Sequence, residues 1–194
     1  MKYLITIILA ITALSLLAQN PSKAQFDSLL IRGKIAFNMP ENCEEVAVKF
    51  MHKIPHNYAV GPKDASFQIR YWIQPLDALL ADYNKKSKKQ KKESMHPDAL
   101  CKGMMLLATL NASGNKSRDY HVSPYPAVTK KVYNADWDAV AFFESGWPKE
   151  GYKYCYLISV HKDGVANIYI YVLANNKEDF VDISGLMAES IKFQ

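Results

Sequence analysis

The sequence predicts an α+β domain in which helices cover both sides of an antiparallel β-sheet. Segments in which apolar and polar residues alternate, typical of strands, recur along the chain with helical segments between them. The last third contains two long apolar runs joined by Asp163-Gly164, a dipeptide typical of tight hairpin turns. These two observations favour neighbouring strands that run antiparallel.

The part of the chain from about residue 26 to residue 73 is predicted to contain mainly short strands. Residues 26–32 are expected to be helical or irregular, and a short strand over 34–38 should end at Met39-Pro40. A near-alternating pattern predicts a second strand over 43–50, followed by a loop or short extended piece over 52–62, which holds two prolines. Residues 67–73 alternate strictly and predict a further strand.

Two helices are predicted in the middle of the chain. The first covers 76–83 and continues into a lysine-rich insertion at about 84–95. The second begins at His96-Pro97-Asp98, with Pro97 at the first helical position, and runs to about Leu110. Apolar residues nearly encircle its second half, which predicts burial on more than one side. A loop over 115–126 and a strand over 138–144 follow.

A final helix is predicted from Phe180, Ile183, Met187 and Ile191, which lie at helical spacing. Before it, two strands over 152–161 and 165–174 are predicted to form a hairpin. With Asp163-Gly164 as a two-residue tip, residues whose numbers sum to 327 pair and share a face. One face then holds Tyr154, Tyr156, Tyr169 and Tyr171, together with Tyr152. Both faces are apolar enough to need cover. If one is left open, these tyrosines form a candidate docking face, because tyrosine is enriched in recognition surfaces.

The N-terminus has the layout of a secretory signal peptide. Lys2 precedes an apolar run over 3–18, and Ser22-Lys23-Ala24 is a small-x-small cleavage pattern, with Ala18 as the alternative site. A retained anchor is the other interpretation, but the run is short for a membrane span of about 20 residues. We therefore expect a signal peptide over 1–24, a single secreted or periplasmic domain over 25–194, and no transmembrane segment in the mature chain.

Removal of the signal peptide changes the charge balance. Two lysines and no acid leave with it, so the net charge falls from +5 to +3. Six of the remaining lysines lie within eight residues: Lys85, Lys86, Lys88, Lys89, Lys91 and Lys92. This run is either a solvated, mobile insertion in which like charges repel, or a contact for an anionic surface. Nucleic acid is a weak candidate, because the run contains no aromatic residue for base stacking.

Few other residues indicate a catalytic, metal-binding or disulfide-forming role. Three widely spaced cysteines, Cys43, Cys101 and Cys155, favour buried free thiols, with one disulfide and one leftover thiol as the alternative. His52 and His56 have a spacing known from zinc sites, but Pro55 between them would break the required helix. No Gly-x-Ser-x-Gly elbow or phosphate-binding glycine loop occurs. We therefore assign no catalytic, cofactor-binding or metal-binding residues and expect no cofactor.

The order of elements resembles the PsbP-like superfamily. The features that carry this resemblance are Met39-Pro40 after a short strand, the alternating strand Phe67-Gln68-Ile69-Arg70-Tyr71, a long antiparallel hairpin, and a closing helix that ends Ser190-Ile191-Lys192-Phe193. The segment from His161 to Ala166 carries a second resemblance. The chain is also similar to secreted bacterial domains of unknown function with the same strand and hairpin motifs. The resemblance covers most of the mature chain and implies an α/β/α sandwich around an antiparallel sheet. It implies no function, since this fold serves unrelated roles.

The leading functional hypothesis is a secreted or periplasmic, non-enzymatic binding or accessory domain whose partner is another envelope or secreted protein. One alternative is binding to an anionic surface through the lysine run. The other is a small secreted hydrolase whose site is assembled from loops. A hydrolase predicts a deep pocket with convergent His, Asp or Glu side chains, whereas a binding domain predicts a shallow surface.

Overall fold

A computed structural model describes residues 23–47, 54–116, 119–122, 126–146 and 151–194. Its largest element is an antiparallel sheet of seven strands in the order β2-β3-β4-β8-β7-β6-β5. The strands are β2 (Glu44–Glu45), β3 (Tyr58–Gly61), β4 (Phe67–Pro75), β5 (His121–Val122), β6 (Trp137–Glu144), β7 (Tyr154–Lys162) and β8 (Ala166–Ala174). A separate two-stranded ribbon pairs β1 (Ile35–Phe37) with β9 (Ile191–Phe193). The predicted α+β class with an antiparallel sheet is confirmed.

Six α-helices accompany the sheet in the described part of the chain. They are α1 (Lys23–Arg32), α2 (Asp77–Lys85), α3 (Lys88–Lys92), α4 (Leu100–Ala112), α5 (Pro126–Tyr133) and α6 (Asp179–Ser190). A 3-10 turn at Pro97–Ala99 leads into α4, with His96 capping the turn and Pro97 in its first position. Proline suits this position, because its missing N–H would have no helical partner there.

Each face of the sheet packs against its own hydrophobic core. One face carries Ile69, Tyr71, Ile168 and Ile170 and is covered by α1, α6 and the β1–β9 ribbon, with Phe26 of α1 among the buried side chains. The opposite face carries apolar side chains of β6, β7 and β8 and packs against α4 through Met105, Ala108 and Ala112. The central strand β8 is buried along its whole length, since it has strands on both edges and cover on both faces. The expectation that both faces are covered is therefore confirmed.

The register of the β7–β8 hairpin differs from the prediction by one residue. Lys162 pairs with Ala166, so the loop has three residues, Asp163, Gly164 and Val165, rather than two. The Val165 N–H donates to the Lys162 carbonyl at 3.0 Å, and Gly164 has φ +70°, a value that type II turns require at their third position. A shift of one residue moves every side chain of one strand to the other face relative to its partner.

Several local expectations are confirmed and others are wrong. Strands β1, β4 and β6 and helices α2 and α4 lie close to their predicted positions. Of the two alternatives for 52–62, a loop or a short extended piece, the second is confirmed by the buried four-residue strand β3. The predicted strand over 43–50 is reduced to Glu44–Glu45 within its described part. Strand β5 lies within the expected loop 115–126, and helix α5 begins at its end. Helix α4 is exposed on one side, where Leu107 is 52% exposed, so burial on more than one side is wrong.

Candidate functional site

The lysine run forms an ordered surface made of the end of α2, the helix α3 and the turn after it. We call residues 83–95 the lysine segment. Ser87 caps α3: its hydroxyl accepts from the Gln90 N–H at 3.4 Å, while the Gln90 side chain accepts from the Ser87 N–H at 2.9 Å. This reciprocal capping satisfies two backbone donors at the helix start. The lysines are solvated, as expected, but the segment is helical rather than unstructured.

Tyr83 and its neighbours hold the segment together. The ammonium groups of Lys86 and Lys91 lie 5.7 and 5.3 Å from the centre of the Tyr83 ring, and the His96 ring packs edge-on at 4.7 Å. Lys86 also donates to the Ser94 hydroxyl at 3.0 Å. These contacts explain how like charges can lie close together in the lysine segment, because two of the lysines are directed towards an aromatic ring.

Three lysines of the segment are available for contacts outside the chain. Lys85 lies 3.2 Å from Asp82, but Lys88, Lys89 and Lys92 have no carboxylate partner within the described residues and are exposed. Two apolar side chains near the lysines in sequence are also exposed: Met95, the last residue of the lysine segment, at 64% and Leu79 of α2 at 48%. The lysine segment therefore combines exposed cationic side chains with an exposed apolar one.

The predicted tyrosine docking face is wrong. In the observed register, Tyr154 and Tyr156 lie on the face covered by α6, whereas Tyr169 and Tyr171 lie on the face covered by α4. Tyr169 and Tyr171 are fully buried. Phe180 of α6 packs against Tyr156 with ring centres 6.2 Å apart. The prediction failed because it assumed a two-residue loop.

A second group of polar side chains meets at the tip of the β7–β8 hairpin. His161 Nε2 lies 2.9 Å from Asp163 Oδ1 and 3.9 Å from Asp98 Oδ1, and these three atoms are all within 4.8 Å of one another. We call these residues the tip cluster. The His161 side chain is 3% exposed, that of Asp98 23% and that of Asp163 72%. The cluster therefore combines a buried imidazole with carboxylates that reach the surface.

Neighbouring groups fix the orientation of the tip cluster. His161 Nδ1 is 2.7 Å from Asn167 Oδ1, on the residue that pairs with it across the hairpin. The Gly164 N–H donates to Asp98 Oδ1 at 2.8 Å, which joins the hairpin turn to the turn before α4. The Asp163 N–H donates to Asp136 Oδ2 at 3.0 Å, and this bond is the main cause of a lowered pKa for the Asp136 carboxyl.

Buried polar groups continue inward from the tip cluster along the face that α4 covers. Ser159 and Tyr169 pair across the hairpin, and both are fully buried. Among the described residues, their hydroxyls have no hydrogen-bond partner other than each other. Burial raises the pKa of Tyr169, with a smaller rise from Cys101, and the hydrogen bond to Ser159 lowers it. Burial also raises the pKa of Cys101, and Asp163 and Asp98 add to it.

All three cysteines are free, which confirms the favoured expectation over a disulfide. Cys101 and Cys155 are buried, whereas Cys43 is only half-buried, so burial is less complete than expected. Burial raises the pKa of Cys155 and of Cys43. Because the thiolate is the reactive form, a raised pKa makes a cysteine less nucleophilic at neutral pH.

Of the two histidines considered as a metal pair, His52 lies outside the described residues. His56 is partly buried near the start of β3, with Nδ1 3.2 Å from the Ile54 carbonyl oxygen. The tip cluster was missed by sequence reasoning, because Asp98 and His161 are far apart in sequence. The only local signal was that His161 and Asp163 lie at a hairpin turn, which places polar side chains at the end of a sheet.

The chain matches no protein-family model, and no curated protein is similar to it. Among the helices of the described residues, none combines the length and the apolar composition that crossing a membrane requires.

Proposed function

We propose that this chain is a secreted or periplasmic, non-enzymatic binding domain that attaches to an anionic lipid surface through its lysine segment. The observation that carries the proposal is that Lys88, Lys89 and Lys92 lie exposed on an ordered helix without carboxylate partners among the described residues. Secretion rests on the signal-peptide pattern over 1–24, and the PsbP-like resemblance stays a prediction.

The free energy that the lysines contribute to membrane binding follows from electrostatics. Each lysine near an anionic membrane contributes about 1 kcal/mol, and this attraction decays over a Debye length of about 10 Å at 0.1 M salt. Three unpaired lysines thus supply about 3 kcal/mol, and Met95 and Leu79 can add apolar contact at the headgroup level. Because the helix is already formed and capped, less conformational entropy is lost on binding.

The same geometry favours lipid over single-stranded nucleic acid. Proteins that bind single strands without sequence preference stack bases on exposed aromatic rings. Tyr83 is the aromatic residue of the lysine segment, and its ring is already contacted by Lys86, Lys91 and His96. The segment therefore offers charge but no free stacking surface.

The geometry also favours binding over hydrolysis. The hydrolase alternative required convergent His and Asp side chains, and the tip cluster provides them. However, both ring nitrogens of His161 already contact Asn167 and Asp163, and neither contacts a hydroxyl or thiol of the described residues. A base must share a hydrogen bond with its nucleophile to activate it.

The test is co-sedimentation with vesicles that contain phosphatidylglycerol, compared with vesicles of phosphatidylcholine alone. We expect binding to the anionic vesicles only, and loss of this binding at high salt. The variant K88Q/K89Q/K92Q should weaken binding by about 100-fold, the equivalent of about 3 kcal/mol. The control K63Q/K131Q/K192Q removes the same charge from exposed lysines elsewhere and should have a much smaller effect.

Three outcomes would contradict the proposal. The first is equal binding to neutral and anionic vesicles. The second is an equal loss in both triple variants, which would indicate a response to net charge rather than to the lysine segment. The third is binding to a single-stranded oligonucleotide without binding to vesicles.

A further inference from the structure

The tip cluster brings together three potential metal ligands that the sequence keeps apart. We infer that Asp98, His161 and Asp163 form a binding site for a divalent transition-metal cation, with zinc as its representative. The ligand atoms are the imidazole Nε2 and one oxygen from each carboxylate. This site shares no residue with the lysine segment, so the result of its test does not depend on whether the proposed function is correct.

The distances suit a shared cation. A zinc ion lies about 2.0–2.2 Å from nitrogen and oxygen ligands, which separates neighbouring ligand atoms by roughly 3 to 3.5 Å. The observed separations of His161 Nε2 from Asp163 Oδ1 and Asp98 Oδ1, 2.9 and 3.9 Å, lie on either side of this range. Asp163 is mostly exposed and can move outward, and the 23% exposed Asp98 side chain needs to move only a few tenths of an ångström towards the buried imidazole.

Charge and orientation support the same conclusion. One imidazole can carry at most one positive charge, so two converging carboxylates leave the cluster with net negative charge. His161 Nδ1 contacts Asn167 Oδ1, and such a hydrogen bond orients a metal-binding imidazole so that its other nitrogen faces the ion. The Gly164 N–H similarly fixes the Asp98 carboxylate.

An independent observation comes from the layer beneath the cluster. Ser159 and Tyr169 lie one side-chain layer inward on the same face of the hairpin, and their fully buried hydroxyls have no hydrogen-bond partner other than each other among the described residues. Buried polar groups are normally fully hydrogen-bonded, and incompletely paired ones call for an explanation such as a bound ion or water.

The ligand types select the cation. One nitrogen and two carboxylate oxygens suit zinc and other imidazole-binding transition metals. Calcium prefers six to eight oxygens, and magnesium keeps several water ligands and binds oxygen atoms. A bound cation would join the β7–β8 turn to the 3-10 turn before α4, where the hydrogen bond from the Gly164 N–H to the Asp98 carboxylate already connects them.

The test is calorimetric titration of the protein with Zn²⁺, together with its thermal unfolding in the presence of Zn²⁺. We expect one Zn²⁺ per chain and a raised unfolding midpoint, with no comparable response to Mg²⁺ or Ca²⁺. D163N removes an exposed ligand and should weaken Zn²⁺ binding by at least about 10-fold while the fold is kept. H161Q should remove binding, but its buried position means that it can also lower stability.

Matched controls separate this site from weak binding elsewhere. D182N changes an exposed aspartate of α6, and H121Q changes an exposed histidine of β5, so both should leave Zn²⁺ affinity unchanged. The inference is overturned if the wild-type protein does not bind Zn²⁺, if D163N binds it as tightly as wild type, or if D182N weakens binding equally. Preferential binding of Ca²⁺ or Mg²⁺ would also overturn it, because the imidazole would then not be a ligand.

Discussion

Two buried tyrosines on neighbouring strands allow a matched test of the hydrogen bonding in the two cores. Tyr71 of β4 and Tyr171 of β8 are both fully buried, on opposite faces of the sheet. The Tyr71 hydroxyl lies 3.1 Å from Ser190 Oγ, whereas the Tyr171 hydroxyl has no hydrogen-bond partner among the described residues. Replacing each with phenylalanine removes one oxygen and keeps the ring.

The two variants should change the free energy of unfolding in opposite directions. Y71F loses one neutral hydrogen bond, worth about 1 kcal/mol. Ser190 keeps its bond to the Met187 carbonyl at 2.9 Å, so no additional penalty arises. Y171F removes a buried hydroxyl whose desolvation costs about 1–3 kcal/mol without compensation. We therefore expect Y71F to be less stable by about 1 kcal/mol, and Y171F to be as stable as wild type or more stable by about 1 kcal/mol.

The assay is equilibrium urea unfolding followed by circular dichroism, with the midpoint compared at constant slope. An unchanged slope shows that the surface exposed on unfolding is the same, so that the midpoint reports stability. A destabilised Y171F would refute the reasoning, since it would show that the hydroxyl has a partner. A neutral Y71F would show that the Ser190 contact contributes nothing.

Two further predictions follow from burial and close packing. Burial raises the pKa of Tyr58 and Tyr133 from 10 to about 12 in the folded protein. As the pH rises, the unfolded chain therefore loses these protons before the folded protein does. The free energy of unfolding should fall above about pH 10, by up to about 1.4 kcal/mol per pH unit for each tyrosine. A urea midpoint that is the same at about pH 9 and about pH 11 would contradict this. A Cβ at Gly146 would overlap the backbone of Ser113 and Gly114, so G146A should destabilise the protein strongly, by at least about 2 kcal/mol. By contrast, G103A on the open side of α4 should stabilise it by up to about 1 kcal/mol, and thermal unfolding that ranks the two variants in the reverse order would refute this.

Local patterns were sufficient to predict the elements whose apolar residues recur with the period of a strand or a helix. The alternation over 67–73 predicted β4, and the helical spacing of Phe180, Ile183 and Met187 predicted α6. The same pattern extended the closing helix to Ile191, which is wrong. Ile191 begins β9 and pairs with Phe37 of β1. That pairing depends on a strand distant in sequence, and no local pattern contains it.

The hairpin shows how one loop residue can mislead a correct local prediction. The sequence placed both strands and the turn near Asp163-Gly164, and the structure agrees. Whether the loop holds two or three residues depends on the backbone conformation at Gly164, and that choice decides which side chains share a face. The tyrosine docking face depended entirely on this register.

By itself, the sequence determined the α+β class, the long strands and the lysine run, because these follow from residue spacing within a few turns or pleats. The tertiary structure decided that the lysine segment is a capped helix packed around Tyr83, since that depends on side-chain contacts. It also decided that Asp98 meets His161 and Asp163. These residues come together only because α4 covers one face of the sheet and brings the turn before it to the hairpin tip, a long-range arrangement fixed by burial of the core rather than by any local pattern.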